Sequence, residues 1–306
     1  MSAPPFGGGG RFFDNFDKSR KSLYWIYKAV IYLQSPLMLC RGKEDARSYM
    51  LRFVYVIMMR IGSILWFVPK MRKYAKHPER YSEEDCHRLA GIMIRKVAKT
   101  SRIKTRVYGV ENLPRGEGYV LFANHQSKFD ALGIMESHPG PCRVLMDMQR
   151  SKLPLANEFV SLVRGKRLDK TNIRQQVTCF KEISREVSEG KVYLIFPEAG
   201  YVKGQTNQMQ AFYPGCFRAA VKAKRAVVPV ALVDSYLTYG RNSLRKVEVQ
   251  IHFLPPIPYD TYAHMTTVEL AEATQRAVAC KIREVTGEEV MPLNSFDAEL
   301  AQSHEA

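Results

Sequence analysis

Residues 119–135, YVLFANHQSKFDALGIM, hold a histidine and an aspartate at a spacing that can move a proton. His125 and Asp130 are five residues apart. On one continuous helix that spacing separates them by about 140° around the axis, out of reach of each other. The local pattern offers another geometry. Tyr119–Ala123 reads as a strand, and Ser127 suits the N-cap of a helix starting at Lys128. Asp130 then occupies the third helical position, and the chain folds back so that its carboxylate meets the imidazole. A carboxylate on one ring nitrogen fixes the tautomer and stabilises the imidazolium, while the other nitrogen accepts a proton. These are two parts of a serine-hydrolase triad, and the third is missing. The sequence has no Gly-x-Ser-x-Gly elbow and no other evident enzyme nucleophile. The attacking group is then expected to be a hydroxyl of the substrate, with no acyl-enzyme. Taken alone, Ser127-x-x-Asp130 also reads as a variant capping box with an acid in the first turn.

An α/β texture surrounds this elbow. Strand-like runs are Lys104–Tyr108, Tyr119–Ala123, Arg143–Met146, Val192–Phe196, Val227–Val233 and Val247–Phe253. Helical patterns cover 83–100, 128–137, 171–189, 214–224 and 267–285, with Leu89, Ile92, Met93 and Val97 on one face of the first. The expected fold is a mixed, mostly parallel sheet flanked by helices, with ligands at the carboxyl edge of the strands. An N-terminal apolar helical hairpin precedes it. Residues 22–40 are apolar and aromatic, and residues 49–69 are apolar apart from one stripe holding Tyr49, Arg52, Arg60 and Ser63. Arginine in mid-span costs roughly 2.5–3.5 kcal/mol on insertion scales. The second segment is therefore expected to lie in the interface, its stripe toward water or headgroups, rather than to span. The basic run 70–81 reads as a linker that suits an anionic leaflet. The expected organisation is a flexible lead at 1–21, a membrane-associated helical segment with basic linker at 22–81, a catalytic domain at 82–291 and a tail at 292–306.

The composition agrees with a chain that has a core and an anionic partner. Hydrophobic residues make up 46% of 306 positions, and 46 Lys+Arg against 30 Asp+Glu give a net charge of +16. A nucleic-acid reading rests on charge alone, since no zinc-finger spacing or aromatic-basic stretch supports it. The six cysteines are scattered with no Cys-x-x-Cys pair, as reduced and mostly buried thiols would be. The start is glycine-rich and polar, without the basic-then-apolar pattern of a signal peptide.

GVENLPRGEGYVLFANHQSKFD resembles the first characteristic block of the glycerolipid acyltransferases, the 1-acylglycerol-3-phosphate O-acyltransferase (lysophosphatidic acid acyltransferase, PlsC-like) family. Three further stretches resemble its later blocks in order: LVRGKRLDKTN at 162–172, LIFPEAGYVKG at 194–204 and FYPGCFRAAVKAKRAVVPVAL at 212–232. The resemblance covers roughly residues 83–255. It implies transfer of a fatty acyl group from acyl-CoA or acyl-carrier protein to the sn-2 hydroxyl of 1-acylglycerol-3-phosphate, giving phosphatidic acid. His125 is then the general base and Asp130 its orienter. Asn124, Lys170, Phe196, Pro197, Glu198, Gly200, Lys203 and Gly215 fall in positions that the resemblance implies for substrate binding, with Gly215 letting a helix start close to the backbone. No metal or redox cofactor is implied. The partners implied are a lysophospholipid acceptor, an acyl thioester donor and an anionic membrane surface, at the cytoplasmic face of the cell membrane, and no nucleic acid.

Two departures bear on the acceptor. Ala199-Gly200-Tyr201 stands where the family has Gly-Thr-Arg, and Lys170 stands where it has Arg. The missing arginine is suited to a phosphate by its bidentate fork. Arg167, Lys170 and Lys203 are the cations that could compensate. The alternatives are another lysolipid acceptor, or a lipid-binding protein on the same fold with weakened catalysis.

Overall fold

The computed structural model describes residues 51–200, 206–239 and 243–290. The expected first apolar helix at 22–40, the lead and the tail lie outside these residues, as do Tyr201 and Lys203.

The described chain opens with two helices, α1 (Leu51–Met59) and α2 (Ile61–Lys76), bent by 77° at the break. The sequence reads this stretch as one interfacial helix with an outward arginine stripe, and the structure corrects that reading. Arg52 is buried and donates to the carbonyls of Ser243 at 2.9 Å and Arg245 at 2.6 Å. Arg60, at the break, donates through Nε to Thr100 Oγ1. Both arginines anchor this bent pair of helices to the domain, so its apolar side is left outermost, with Val54, Met58, Leu65 and Trp66 exposed. Most of the basic run belongs to α2, which continues through Pro69 to Lys76. Among the described residues no single helix is long and apolar enough to cross a membrane; the bent pair together meets that test by length and composition.

Helix α3 (Glu83–Thr100) starts at a capping box in which Ser82 and Asp85 exchange side-chain bonds with each other's backbone N–H. It buries Cys86, Leu89, Ala90 and Ile94, while Ile92, expected on that face, is exposed. Then follow β1 (Ile103–Tyr108), β2 (Val120–Ala123), α4 (Asp130–Ser137), β3 (Arg143–Asp147), α5 (Met148–Ser151), α6 (Ala156–Leu162), β4 (Lys166–Leu168), α7 (Ile173–Ser188) and β5 (Tyr193–Ile195). A 3-10 turn at Pro214–Phe217 leads into α8 (Arg218–Ala223), then β6 (Val227–Val233), β7 (Val247–Phe253), α9 (Tyr259–Tyr262) and α10 (Thr267–Thr286).

The seven strands form one sheet in the order β1-β7-β6-β2-β5-β3-β4, and only the β6–β7 pair is antiparallel. Central strands are apolar throughout because helices cover both faces. Val120–Ala123, Tyr193–Ile195 and Val227–Val233 are buried along their whole length. Alternate residues of β2 divide the core. Leu121 and Ala123 pack with Phe67, Leu89 and Ile94 of α2 and α3, whereas Val120 and Phe122 pack with Phe180, Ile183 and Phe217 on the other face. The neighbouring parallel strands β2, β5, β3 and β4 all end at one edge, which carries the residues after Ala123, Ile195, Asp147 and Leu168.

The opposite edge is closed by charge. Glu83 pairs with Arg143 at 2.7 Å and Lys191 at 2.9 Å; Glu186 pairs with Lys166 at 2.9 Å and also engages Arg143 and the Tyr193 hydroxyl. Burial alone would raise both carboxyls, but these partners more than offset it and hold them below their ordinary range. Cys86, Cys142, Cys179 and Cys216 are buried free thiols, and Cys280 is exposed. Burial pushes Cys142 and Cys216 up to about 12, which keeps them protonated and inert.

Candidate active site

The expected strand-turn-helix elbow is present, with its helix starting two residues late. Ser127 accepts a bond from Phe129 N at 3.1 Å, residues 127–129 form a turn, and α4 begins at Asp130 itself. The delay closes a tight loop around the carboxylate. Asp130 Oδ2 accepts from His125 Nδ1 at 2.8 Å, Gln126 N at 2.6 Å and Ser127 N at 2.8 Å. Its Oδ1 accepts from Ser127 Oγ at 2.9 Å and from Ser235 Oγ. Asp130 is 1% exposed, and apart from the imidazole every one of these donors is uncharged. Nδ1 is therefore the nitrogen committed to the carboxylate, and Nε2 is the one that can take a proton.

The backbone of His125 is fixed from both sides. Asn124 Nδ2 donates to Leu232 O at 3.0 Å, and its Oδ1 accepts from Leu232 N at 2.7 Å. Asn124 is fully buried and both ends of its amide are used on β6, so it positions His125 instead of meeting substrate as expected. Glu198, just past β5, accepts from His125 N at 2.8 Å with Oε1 and from Gln210 N at 2.8 Å with Oε2. Burial raises the Glu198 carboxyl to about 8 despite those two donors. Phe196 stacks on the imidazole with ring centroids 4.3 Å apart. The stretch Phe196-Pro197-Glu198 thus braces the histidine by ring contact and by hydrogen bond, and Pro197 O accepts from Tyr213 N at 3.0 Å.

Lys170 reaches this wall from the loop after β4. Its Nζ donates to Ala199 O and lies 3.8 Å from Asp147. Arg167 is directed elsewhere, to Asn157 and Ser161. Ala199 adopts a left-handed conformation at φ 55°, and Gly200 has open space where a Cβ would be. Gly215 serves a different purpose from the one expected: a Cβ there would stand 2.5 Å from the Tyr213 ring, so glycine admits that ring beside the 3-10 turn. His138 and His252 are structural, bonded to Tyr119 at 2.7 Å and Gln250 at 3.0 Å.

The sequence reading misses Ser235, Gln126, Thr238 and Asn207. Gln126 Oε1 accepts from Ser235 N at 2.9 Å, its Nε2 donates to Asn207 at 3.1 Å, and Thr238 Oγ1 stands 2.9 Å from Ser127 Oγ. This polar shell joins the elbow to residues more than 80 positions away. No local pattern marks these residues: after the fully apolar β6 the chain reads Asp234-Ser235-Tyr236-Leu237-Thr238.

Residues 104–233 match the family model described as Acyltransferase, a span holding His125, Asp130, Lys170, Glu198 and Gly215. That span is 130 of the chain's 306 residues, and over it the chain resembles the acyltransferase family. A human 1-acyl-sn-glycerol-3-phosphate acyltransferase alpha is 25% identical over 187 residues, covering 60% of this chain and 65% of that protein. A Borreliella burgdorferi 1-acyl-sn-glycerol-3-phosphate acyltransferase is 25% identical over 176 residues, covering 56% of this chain and 70% of that one. The match thus spans slightly less than two thirds of the human relative. The crystal structure of the Thermotoga maritima 1-acyl-sn-glycerophosphate (LPA) acyltransferase, PlsC, superposes with a TM-score of 0.54 at 18% identity, over 90% of this chain and 99% of that one. The acyltransferase-like fold extends beyond the matched family span in both directions.

Proposed function

We propose that this protein moves a fatty acyl group from a thioester to the sn-2 hydroxyl of 1-acylglycerol-3-phosphate, giving phosphatidic acid in phospholipid synthesis. The observation that carries this reading is the 2.8 Å contact between His125 Nδ1 and a carboxylate whose other donors are neutral. The two hydroxyls nearest the pair, Ser127 and Ser235, both donate to Asp130 and are buried, which leaves neither as a nucleophile. The acceptor hydroxyl therefore attacks directly. Its oxygen adds to the thioester carbonyl as His125 Nε2 takes its proton, and Asp130 stabilises the imidazolium formed. The tetrahedral intermediate then collapses, the carbon–sulfur bond breaks, and the imidazolium returns the proton to the leaving thiolate. No metal or redox group is needed in these steps. Lys170 supplies positive charge beside the braced wall for the acceptor phosphate. The exposed apolar side of α1 and α2, with the basic end of α2, suits contact with an anionic membrane face, where both acceptor and product reside.

The test is thiol release by the purified protein in detergent, with lysophosphatidate and either acyl-CoA or acyl-carrier protein. The expected result is release that requires acceptor and falls by about 10³-fold or more in His125→Ala. Release indifferent to that substitution sinks the mechanism. Release with a different lysolipid alone moves the acceptor and keeps the base.

A further inference from the structure

Helix α7 begins at the same edge of the sheet as His125, directly after the loop that carries Lys170. Its buried face packs Cys179, Phe180, Ile183 and Val187. Its first turns overhang that core, and there the apolar stripe continues on exposed side chains. Ile173 is 76% exposed and Val177, one turn on, is 50% exposed. At 100° per residue Arg174 and Lys181 project within about 100° of Ile173, on the side of Val177. Two bare aliphatic side chains bordered by cations match the chemistry of an anionic lipid interface, acyl chains for the former and phosphates for the latter.

The other face of the sheet ends in a matching patch. There α1 and α2 expose Val54, Met58, Leu65 and Trp66, with Lys70 Nζ 4.2 Å from the Trp66 ring. Both patches lie on elements that reach the catalytic elbow. Phe53 of α1 lies 5.2 Å from Lys128 Nζ, three residues past His125, and Lys170 touches Ala199, next to the glutamate that holds His125.

We propose that Ile173 and Val177, with Arg174 and Lys181, are a second contact with an anionic lipid surface, on the opposite face of the sheet from the bent pair α1–α2. One patch alone leaves the domain free to rock on a bilayer. Two, on either side of His125, turn the carboxyl edge toward the lipid. The inference deepens the reading of a membrane acceptor and rests on it.

The test compares binding of the full chain to vesicles of phosphatidylcholine with and without phosphatidylglycerol, alongside thiol release with the acceptor in detergent micelles. In Ile173→Ser/Val177→Ser, partition into anionic vesicles is expected to fall about tenfold while micellar turnover stays at the parent rate. Val177→Trp is expected to raise partition, and Arg174→Gln/Lys181→Gln to remove the preference for the anionic vesicle. Partition unchanged by both apolar variants overturns the contact and assigns this surface to something other than lipid. If the parent releases no thiol with any acceptor yet partition responds as stated, the catalytic reading fails and the lipid contact stands.

Discussion

The two edges of the sheet each bury carboxylates, and they treat them in opposite ways. At the amino edge Glu83 and Glu186 sit among Arg143, Lys166 and Lys191, which hold them ionised. At the carboxyl edge Asp130 receives hydroxyl and backbone donors, and Glu198 receives two backbone N–H groups, with burial raising it to about 8. The difference separates holding a fold from running a reaction. A carboxylate neutralised by arginine has spent its charge. On the proposed mechanism Asp130, held by neutral donors, keeps its field for the imidazolium that forms opposite it, at the cost of a less favourable burial.

Substitutions can test that separation, and the largest effect is expected at Asp130. Asp130→Asn should lower turnover about 10³–10⁴-fold, because the amide presents the wrong partner to Nδ1 and cannot stabilise the imidazolium. Steady-state thiol release measures it, and a loss under tenfold would place the charge elsewhere. Glu186→Gln should do the reverse. It leaves Arg143 and Lys166 without their buried partner and lowers stability by about 3 kcal/mol in chemical denaturation, with turnover near the parent value.

The two edges also differ in the sign of their pH dependence. Glu198 is raised above the ordinary carboxylate value, so its contribution is complete at acid pH and is lost as pH rises through about 8. The lowered carboxyls Glu83 and Glu186 contribute above their ordinary values and lose that contribution as pH falls through their depressed ones. Thermal melts should therefore soften on both limbs, and Glu198→Gln should flatten the alkaline limb alone. A smaller effect is expected at Lys170→Met, about a tenfold rise in KM for a phosphate-bearing acceptor with little change in kcat. The smallest lies beside it: Ala199→Gly should raise stability by roughly 1 kcal/mol, since glycine adopts the φ of 55° without the Cβ penalty.

What the sequence shows of this architecture follows from how local each signal is. Val227–Val233 and Val247–Phe253 are strands at the expected boundaries because β-branched runs of that length are their own evidence. Lys166–Leu168 escapes notice as a strand, being three residues long, charged and at the sheet edge. The His125–Asp130 pair is legible because its geometry is made by one turn. The Ser235 bond to Asp130 spans 105 positions and leaves no trace at either end. The arginine stripe of the hairpin is legible as a stripe but not in its direction, because burial of Arg52 depends on two carbonyls 191 and 193 residues away.

On the proposed function, that same arginine bears on how an acceptor would be chosen. Two hydrogen bonds of 2.9 and 2.6 Å staple α1 to the segment between β6 and β7, so the bent pair α1–α2 is a rigid outrigger and not a tether. On a bilayer, a rigid outrigger sets the height of His125 above the lipid like the stop on a depth gauge. Hydroxyls of a lysolipid lie at different depths below its phosphate, and a base held at one height selects among them by altitude before any side chain touches the glycerol.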